Sequence, residues 1–329
     1  VGDLAVIRPV EPVAPDRSTF IGGSDVASIL RVSPWTSPVQ LYYKKVDPSP
    51  EDRVSGVKKR GIRWESVVAE MLVESLETTR IDGKDGGHKV EIVRANQRYT
   101  DPECEHFRCE IDYEIRLDGA EEITNVELKT VHPNAAGDWG KSGTEGVPVW
   151  YTTQAMWGLG ITGRQTCLVA PLFGADSLSV FLVQRDENLI AWMRDEAMKF
   201  WHDHVLARKP PTPLTSADLA LLFPKGREGA IVFADDTLKD QILELREVSA
   251  NLAALEARWD LLEFRVKQAM GDAEVVSFGD QPAVVWKERG GAHLDQEGLK
   301  VAHPDISRKF MKKTSSRVFT VKNFKWGKK

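Results

Sequence analysis

The sequence predicts an α/β fold, a central mixed sheet flanked by helices, carrying a C-terminal extension with a long helix and a small hairpin. Three observations predict it. Two strand-like runs, His106 to Leu117 and Asn125 to Thr130, alternate apolar and polar residues. Segments around them repeat apolar residues at helical spacing. A proline-rich break, Lys209-Pro-Pro-Thr-Pro213, then separates this part from a helical stretch over 237–270.

The elements follow in chain order. Val1 to Asp16 is rich in proline and valine and reads as a flexible arm, and a short helix follows over Asp25 to Leu30. Gly61 to Thr79 reads as a helix whose apolar arc holds Trp64, Val67, Val68, Met71, Leu72 and Leu76. Glu65 falls inside that arc. A carboxylate facing a core is costly unless it is paired or bound to metal, so Glu65 is a candidate ligand; a solvated glutamate in a frayed first turn is the alternative. In the run from His106, the residues Phe107, Cys109, Ile111, Tyr113, Ile115 and Leu117 form one face, and Asp112 is expected opposite. In the next run Glu127 and Lys129 share a face while Val126 and Leu128 point into the other layer.

An acid and then, fifteen positions on, Glu-x-Lys put two carboxylates and an ammonium in one place if the strands pair. Hard cations such as Mg²⁺ take carboxylate oxygens. A metal so held lowers the pKa of a water and polarises a phosphate. An amphipathic strand with ordinary surface charges carries the same Glu-x-Lys spacing. Gln154 lies on an apolar stripe with Trp150, Tyr151, Trp157 and Ile161, either as a satisfied core amide or as an active-site group. Strands are expected near 165–171 and 178–184, and a helix over about 186–207 closes residues 17–207 as one domain. Residues 208–236 read as linker. Residues 237–329 form the extension, with a coiled-coil-like helix over 237–270 and a hairpin of Glu274 to Phe278 and Ala283 to Lys287.

These residues carry a family resemblance. Arg17-Ser-Thr-Phe-Ile-Gly-Gly-Ser24-Asp25, Ser33-Pro34-Trp35, Arg60-Gly61-Ile62-Arg63-Trp64-Glu65, the Asp112 strand, Glu127-Leu128-Lys129 and Tyr151-Thr-Thr-Gln154 occur in the order seen in YqaJ-type viral recombinases. These are relatives of phage lambda exonuclease within the PD-(D/E)XK superfamily, whose restriction-endonuclease-like core matches the fold read above. The resemblance covers about residues 16 to 207. It implies Asp112 and Glu127 as metal ligands with Glu65 beside them, Lys129 as catalytic lysine and Gln154 as active-site glutamine. It further implies Arg17, seven residues before Ser24, as the grip on a DNA 5′-phosphate. The implied activity is Mg²⁺-dependent 5′→3′ exonuclease action on double-stranded DNA ends, with Mn²⁺ a substitute. It leaves 3′ single strands for a single-strand annealing protein or recombinase. Lambda-like relatives form a trimeric ring, and the extension after this core bears on whether this chain does. An endonuclease of the same superfamily and a non-catalytic DNA-end-binding module are the alternatives.

Composition is compatible with this reading. The net charge is −5, yet residues 287–329 hold twelve Lys or Arg against four Asp or Glu. Lys309, Lys312, Lys313 and Arg317 there are candidate DNA contacts; a solubilising tail is the alternative. Three cysteines show no pairing pattern and fall short of the four that an iron–sulfur cluster needs, and a reducing cytoplasm is expected. No membrane span and no Gly-x-x-x-x-Gly-Lys loop occurs, so neither a membrane nor ATP is expected.

Overall fold

The computed structural model describes residues 16–48, 56–81, 84, 86–144, 146–292, 294–311 and 317–320. The arm read over 1–16 lies almost wholly outside them, as do Lys312 and Lys313. The chain divides into two compact units, residues 1–222 and 223–329.

The first unit begins with a 3₁₀ turn at Arg17–Thr19, then α1 (Gly23–Ile29) and α2 (Pro38–Val46). Ser37 caps α2 with Pro38 in its first turn, where a missing N–H costs nothing. The Glu65 helix is α3 (Gly56–Thr78). Strands β1 (Val90–Thr100), β2 (Arg108–Leu117) and β3 (Thr124–Val131) form an antiparallel meander. Helix α4 (Val149–Thr162) crosses over to β4 (Thr166–Phe173), which pairs parallel to β3. Short β5 (Ser177–Leu178) and β6 (Phe181–Gln184) pair antiparallel to β4. Helix α5 (Glu187–Phe200) runs into a π-helical turn, Trp201–Leu206, and α6 (Ser216–Leu222) ends the unit.

The expected mixed sheet flanked by helices is therefore present. One core, with Ile21, Leu41, Phe107, Trp157, Val169 and Met193, lies on the α4 side; the other, with Val68, Leu72, Leu76, Val126, Leu168 and Leu172, lies under α3. Two expectations change. Trp64 and Val67 are exposed, because α3 meets the sheet through Val68, Ala69, Leu72 and Leu76. The apolar residues of β2 also do not share one face. Phe107, Cys109 and Ile111 enter the α4-side core, whereas Tyr113, Ile115 and Leu117 enter the α3-side core. The change of face falls at Asp112, opposite Asn96, whose φ of 53° is left-handed.

The stretch read as linker, 208–236, contains α6, and that helix is anchored. Asp218, fully buried, accepts from Ser37 Oγ and from the Leu214 and Thr215 N–H groups at 2.9 and 3.1 Å. The second unit holds α7 (Asp236–Met270), the hairpin β7 (Val275–Phe278) and β8 (Gln281–Val285), and short α8 (Gln296–Ala302) and α9 (Pro304–Phe310). Leu252, Leu255, Trp259 and Leu262 on α7 are exposed. Among the described residues no helix is long and apolar enough to cross a membrane.

Candidate active site

The ladder between β2 and β3 runs from Ile115/Thr124 to Tyr113/Val126 and stops there. Beyond it the Leu128 N–H finds the Asp112 side chain instead, Oδ2 at 2.7 Å. Asp112 thus takes a strand-pairing position with a carboxylate, at the point where β2 changes face. Burial first, and then the Glu127 carboxylate, holds the Asp112 carboxyl well above the usual range.

Glu127 on β3 is buried, and one of its oxygens accepts from both Lys129 Nζ and Gln154 Nε2. The pleat supplies the first contact, since residues two apart share a face. Helix α4 supplies the second by crossing that face. Burial alone would lower the Lys129 ammonium, but Glu127 and Asp112 outweigh it and its pKa is raised. The Tyr151 ring lies 5.3 Å from Lys129 Nζ. Tyr151 in turn touches Trp35, which also meets Trp150 edge-on at 5.7 Å. Glu65 is half-buried. Burial raises its pKa more than a hydrogen bond from Asn96 lowers it, and Glu110 and Glu127 push it further up.

A cavity of about 290 Å³ opens beside Glu127 and Gln154 and is also lined by Arg17, Ser24, Arg98 and Arg108. Arg17 Nη2 donates to Ser24 Oγ at 2.8 Å and stands 3.6 Å from Asp25 Oδ1. The turn is closely packed: a Cβ on Gly22 would lie 2.9 Å from Arg17 Nη2 and displace that guanidinium, and one on Gly23 would lie 3.2 Å from Gln154 Cγ. The Gly22 N–H already donates to Asp25 Oδ2 at 2.9 Å, so that group of the turn is spent on the helix cap. Beneath lies Lys45, buried, donating to the Arg17 and Phe20 carbonyls at 2.7 and 2.5 Å and to Asp25 Oδ2 at 2.8 Å.

The chemistry of the donor set suits a hard divalent cation. Glu127 is buried and Asp112 half-buried; the two acids repel one another, and both offer oxygens. Among the described residues no three His, Cys, Asp or Glu side chains gather as a ligand cluster: Glu127 is engaged by Lys129 and Gln154, while Glu65 turns to Asn96.

Residues 14–165 match the model of the YqaJ-like viral recombinase domain. This part of the chain is similar to a YqaJ-like viral recombinase domain. All seven site residues read from the sequence for this part, Arg17, Ser24, Glu65, Asp112, Glu127, Lys129 and Gln154, fall within it. The uncharacterized protein YqaJ of Bacillus subtilis (strain 168) is 25% identical over 314 residues, 93% of this chain and 92% of its own length. Among solved structures, an alkaline exonuclease (LHK-Exo) from Laribacter hongkongensis aligns with a TM-score of 0.44 at 16% identity, covering 59% of this chain and 91% of that one. A phage related exonuclease from Haemophilus somnus 129PT aligns with a TM-score of 0.35 at 11% identity, covering 57% and 96%.

Sequence reasoning missed four residues around the YqaJ-like site: Lys45, Asn96, Arg98 and Arg108. The candidate tail contacts fall elsewhere, in the second unit. Lys309 Nζ stacks 5.9 Å over Phe310, and Arg317 Nη1 donates to the Phe223 carbonyl at 3.4 Å. The three cysteines are unpaired thiols, Cys109 and Cys167 buried.

Proposed function

We propose that this protein is a divalent-metal-dependent deoxyribonuclease that removes nucleotides from the 5′ ends of duplex DNA. The single observation that carries the reading is the convergence on Glu127. Lys129 and Gln154 meet at this carboxylate, Asp112 on the neighbouring strand accepts from the adjacent Leu128 N–H, and Glu127 lines a cavity together with Arg17 and Ser24. Asp112 and Glu127 would hold the metal, with Glu65 beside them, and Mg²⁺ is the ion their oxygens suit, with Mn²⁺ a substitute. When bound, the ion polarises the scissile phosphate and acidifies an attacking water.

The chain's own residues do the rest. Glu127 holds Lys129 charged and in place, and the ammonium offsets negative charge growing on the phosphoryl oxygens. Gln154 fixes the Glu127 carboxylate through its amide. Arg17, with Ser24, grips the terminal 5′-phosphate. Water adds to phosphorus and the bond to the 3′ oxygen breaks, releasing a 5′-mononucleotide and leaving a new 5′-phosphate for the same grip. The 3′ strand exposed in this way is a substrate for a single-strand annealing protein or recombinase. A homo-oligomeric ring would retain the enzyme on DNA, and the apolar residues exposed along α7 support self-association. Lys309 and Arg317 supply further phosphate contacts from the basic tail. Three free thiols suit a reducing compartment, the cytoplasm of a bacterium or an infected host.

The test is degradation of end-labelled linear duplex beside covalently closed circles, with Mg²⁺ or chelator, for wild type and Lys129→Ala. Loss of linear DNA from 5′ ends alone, needing Mg²⁺ and falling at least about a hundredfold in Lys129→Ala, supports the reading. Cut circles replace it with an endonuclease, and tight end binding without cleavage replaces it with a scaffold.

A further inference from the structure

The cavity beside Glu127 has a third cation that the reading above leaves unused. Arg17 is shared with Asp25 at 3.6 Å, and Arg98 stands 3.4 Å from Glu110. Arg108 has no such partner among the described residues. Its Nε is buried and makes no hydrogen bond, and no carboxylate pairs with its guanidinium. The group is nevertheless held in place. Its Cζ lies 5.0 Å from the centre of the Phe20 ring, and the Arg17 Cζ lies 5.8 Å from the same ring. The Arg108 backbone is fixed by Trp157 Nε1, which donates to its carbonyl at 3.0 Å. Two guanidiniums thus share one aromatic platform and line one cavity, and only Arg17 has a carboxylate beside it, one it shares with Lys45.

An uncompensated charge with a dry N–H is costly for the free protein unless an anion completes it. A terminal phosphomonoester carries nearly two negative charges near neutral pH, whereas an internal phosphodiester carries one. Arg17, already facing a carboxylate, balances only part of a dianion. We propose that Arg108 is the second arginine of the end-binding cavity and that the pair selects a phosphomonoester dianion over an internal diester or a 5′-hydroxyl. This rests on the assignment of the cavity to the DNA 5′ end.

The experiment measures binding, with no cleavage step. A hairpin duplex with one free end, carrying either a 5′-phosphate or a 5′-hydroxyl, is titrated with full-length protein in chelator and followed by fluorescence anisotropy. Wild type is expected to prefer the phosphate, and Arg108→Gln to lose about ten- to a hundredfold of that preference. An unchanged preference in Arg108→Gln, with loss in Arg17→Gln, overturns the role of Arg108 and leaves the end-binding cavity standing. A wild type without preference overturns the end-binding assignment and this proposal with it. A readout that needs no variant is arginine modification of wild type by phenylglyoxal, mapped by mass. Protection of Arg108 by the 5′-phosphorylated hairpin, and not by the hydroxyl form, supports the proposal; equal modification with both overturns it.

Discussion

Replacing Lys45 with methionine is the most searching perturbation of the Arg17 side of the candidate site. Lys45 is 6% exposed, and its ammonium makes three contacts, to the carbonyls of Arg17 and Phe20 and to Asp25. Methionine refills the volume but leaves two carbonyls unpaired and Asp25 with Arg17 as its remaining counter-ion, at 3.6 Å and half in solvent. Burial would raise the Asp25 carboxyl, yet Lys45 and Arg17 outweigh it and hold it below its ordinary value. Removing one member of a buried ion pair costs about 3–5 kcal/mol. For a unit of this size each kcal/mol moves the midpoint by about 2–4 °C, so Lys45→Met should melt roughly 6–20 °C below wild type. The assay is thermal unfolding of wild type, Lys45→Met, Asp25→Asn and the double variant. In the double variant no carboxylate is stranded, so the two losses should fall short of additivity by at least about 1 kcal/mol. A single variant melting within about 3 °C of wild type, or strictly additive losses, would refute the argument.

Three further outcomes are expected. Asp118 receives the Lys89 N–H, His88 and Arg80, which together draw its pKa down to about 2; a depressed carboxylate stabilises above its unfolded pKa and loses that contribution as pH falls. Wild type should therefore melt above Asp118→Asn at neutral pH, with the gap closing between about pH 4 and pH 2, and a gap constant across that window would count against the assignment. Burial pushes the Cys109 thiol up to about 12, so iodoacetamide at neutral pH should leave it unlabelled in the native protein and label it after denaturation; rapid native labelling refutes this. Asn96→Ala forces a Cβ-bearing residue without a local hydrogen-bonding side chain into φ 53° and removes the bond to Glu65. It should cost about 1 kcal/mol in urea unfolding, more than Asn96→Gly, while both variants lower nuclease activity; unchanged activity in both separates Asn96 from the site.

The strands of the candidate site were readable because their pattern rides on period-two alternation, which puts Glu127 and Lys129 together without any tertiary information. Gln154 stood out as a polar residue on an apolar helix stripe. The residues that escaped notice depend on distant partners. Strand β1 mixes Glu91, Arg94, Gln97 and Arg98 with few apolar residues and lies at the sheet edge, so its alternation is weak and Asn96 went unseen. Lys45 sits in the last turn of α2 beside Lys44, and nothing local tells which of the two is buried; its carboxylate partner is twenty residues away. Helix α6 looked like linker because its anchor, Ser37, lies 181 residues from Asp218. The Trp64 to Leu76 arc was right in kind and rotated in detail, since a helical wheel gives a face but not which residues meet the sheet.

The change of face at Asp112 has a mechanical consequence. A single strand serves as lining for one layer up to Ile111 and for the opposite layer from Tyr113 onward, with the acid at the pivot. Creep in either layer, from a shortened side chain at Ile111 or at Ile115, turns the same lever and swings the same carboxylate. Variants far from the cavity, on both sides of the sheet, should thus behave as heat-sensitive nucleases well before they unfold. Adjusting one layer to compensate for the other becomes a practical route for tuning the enzyme's working temperature.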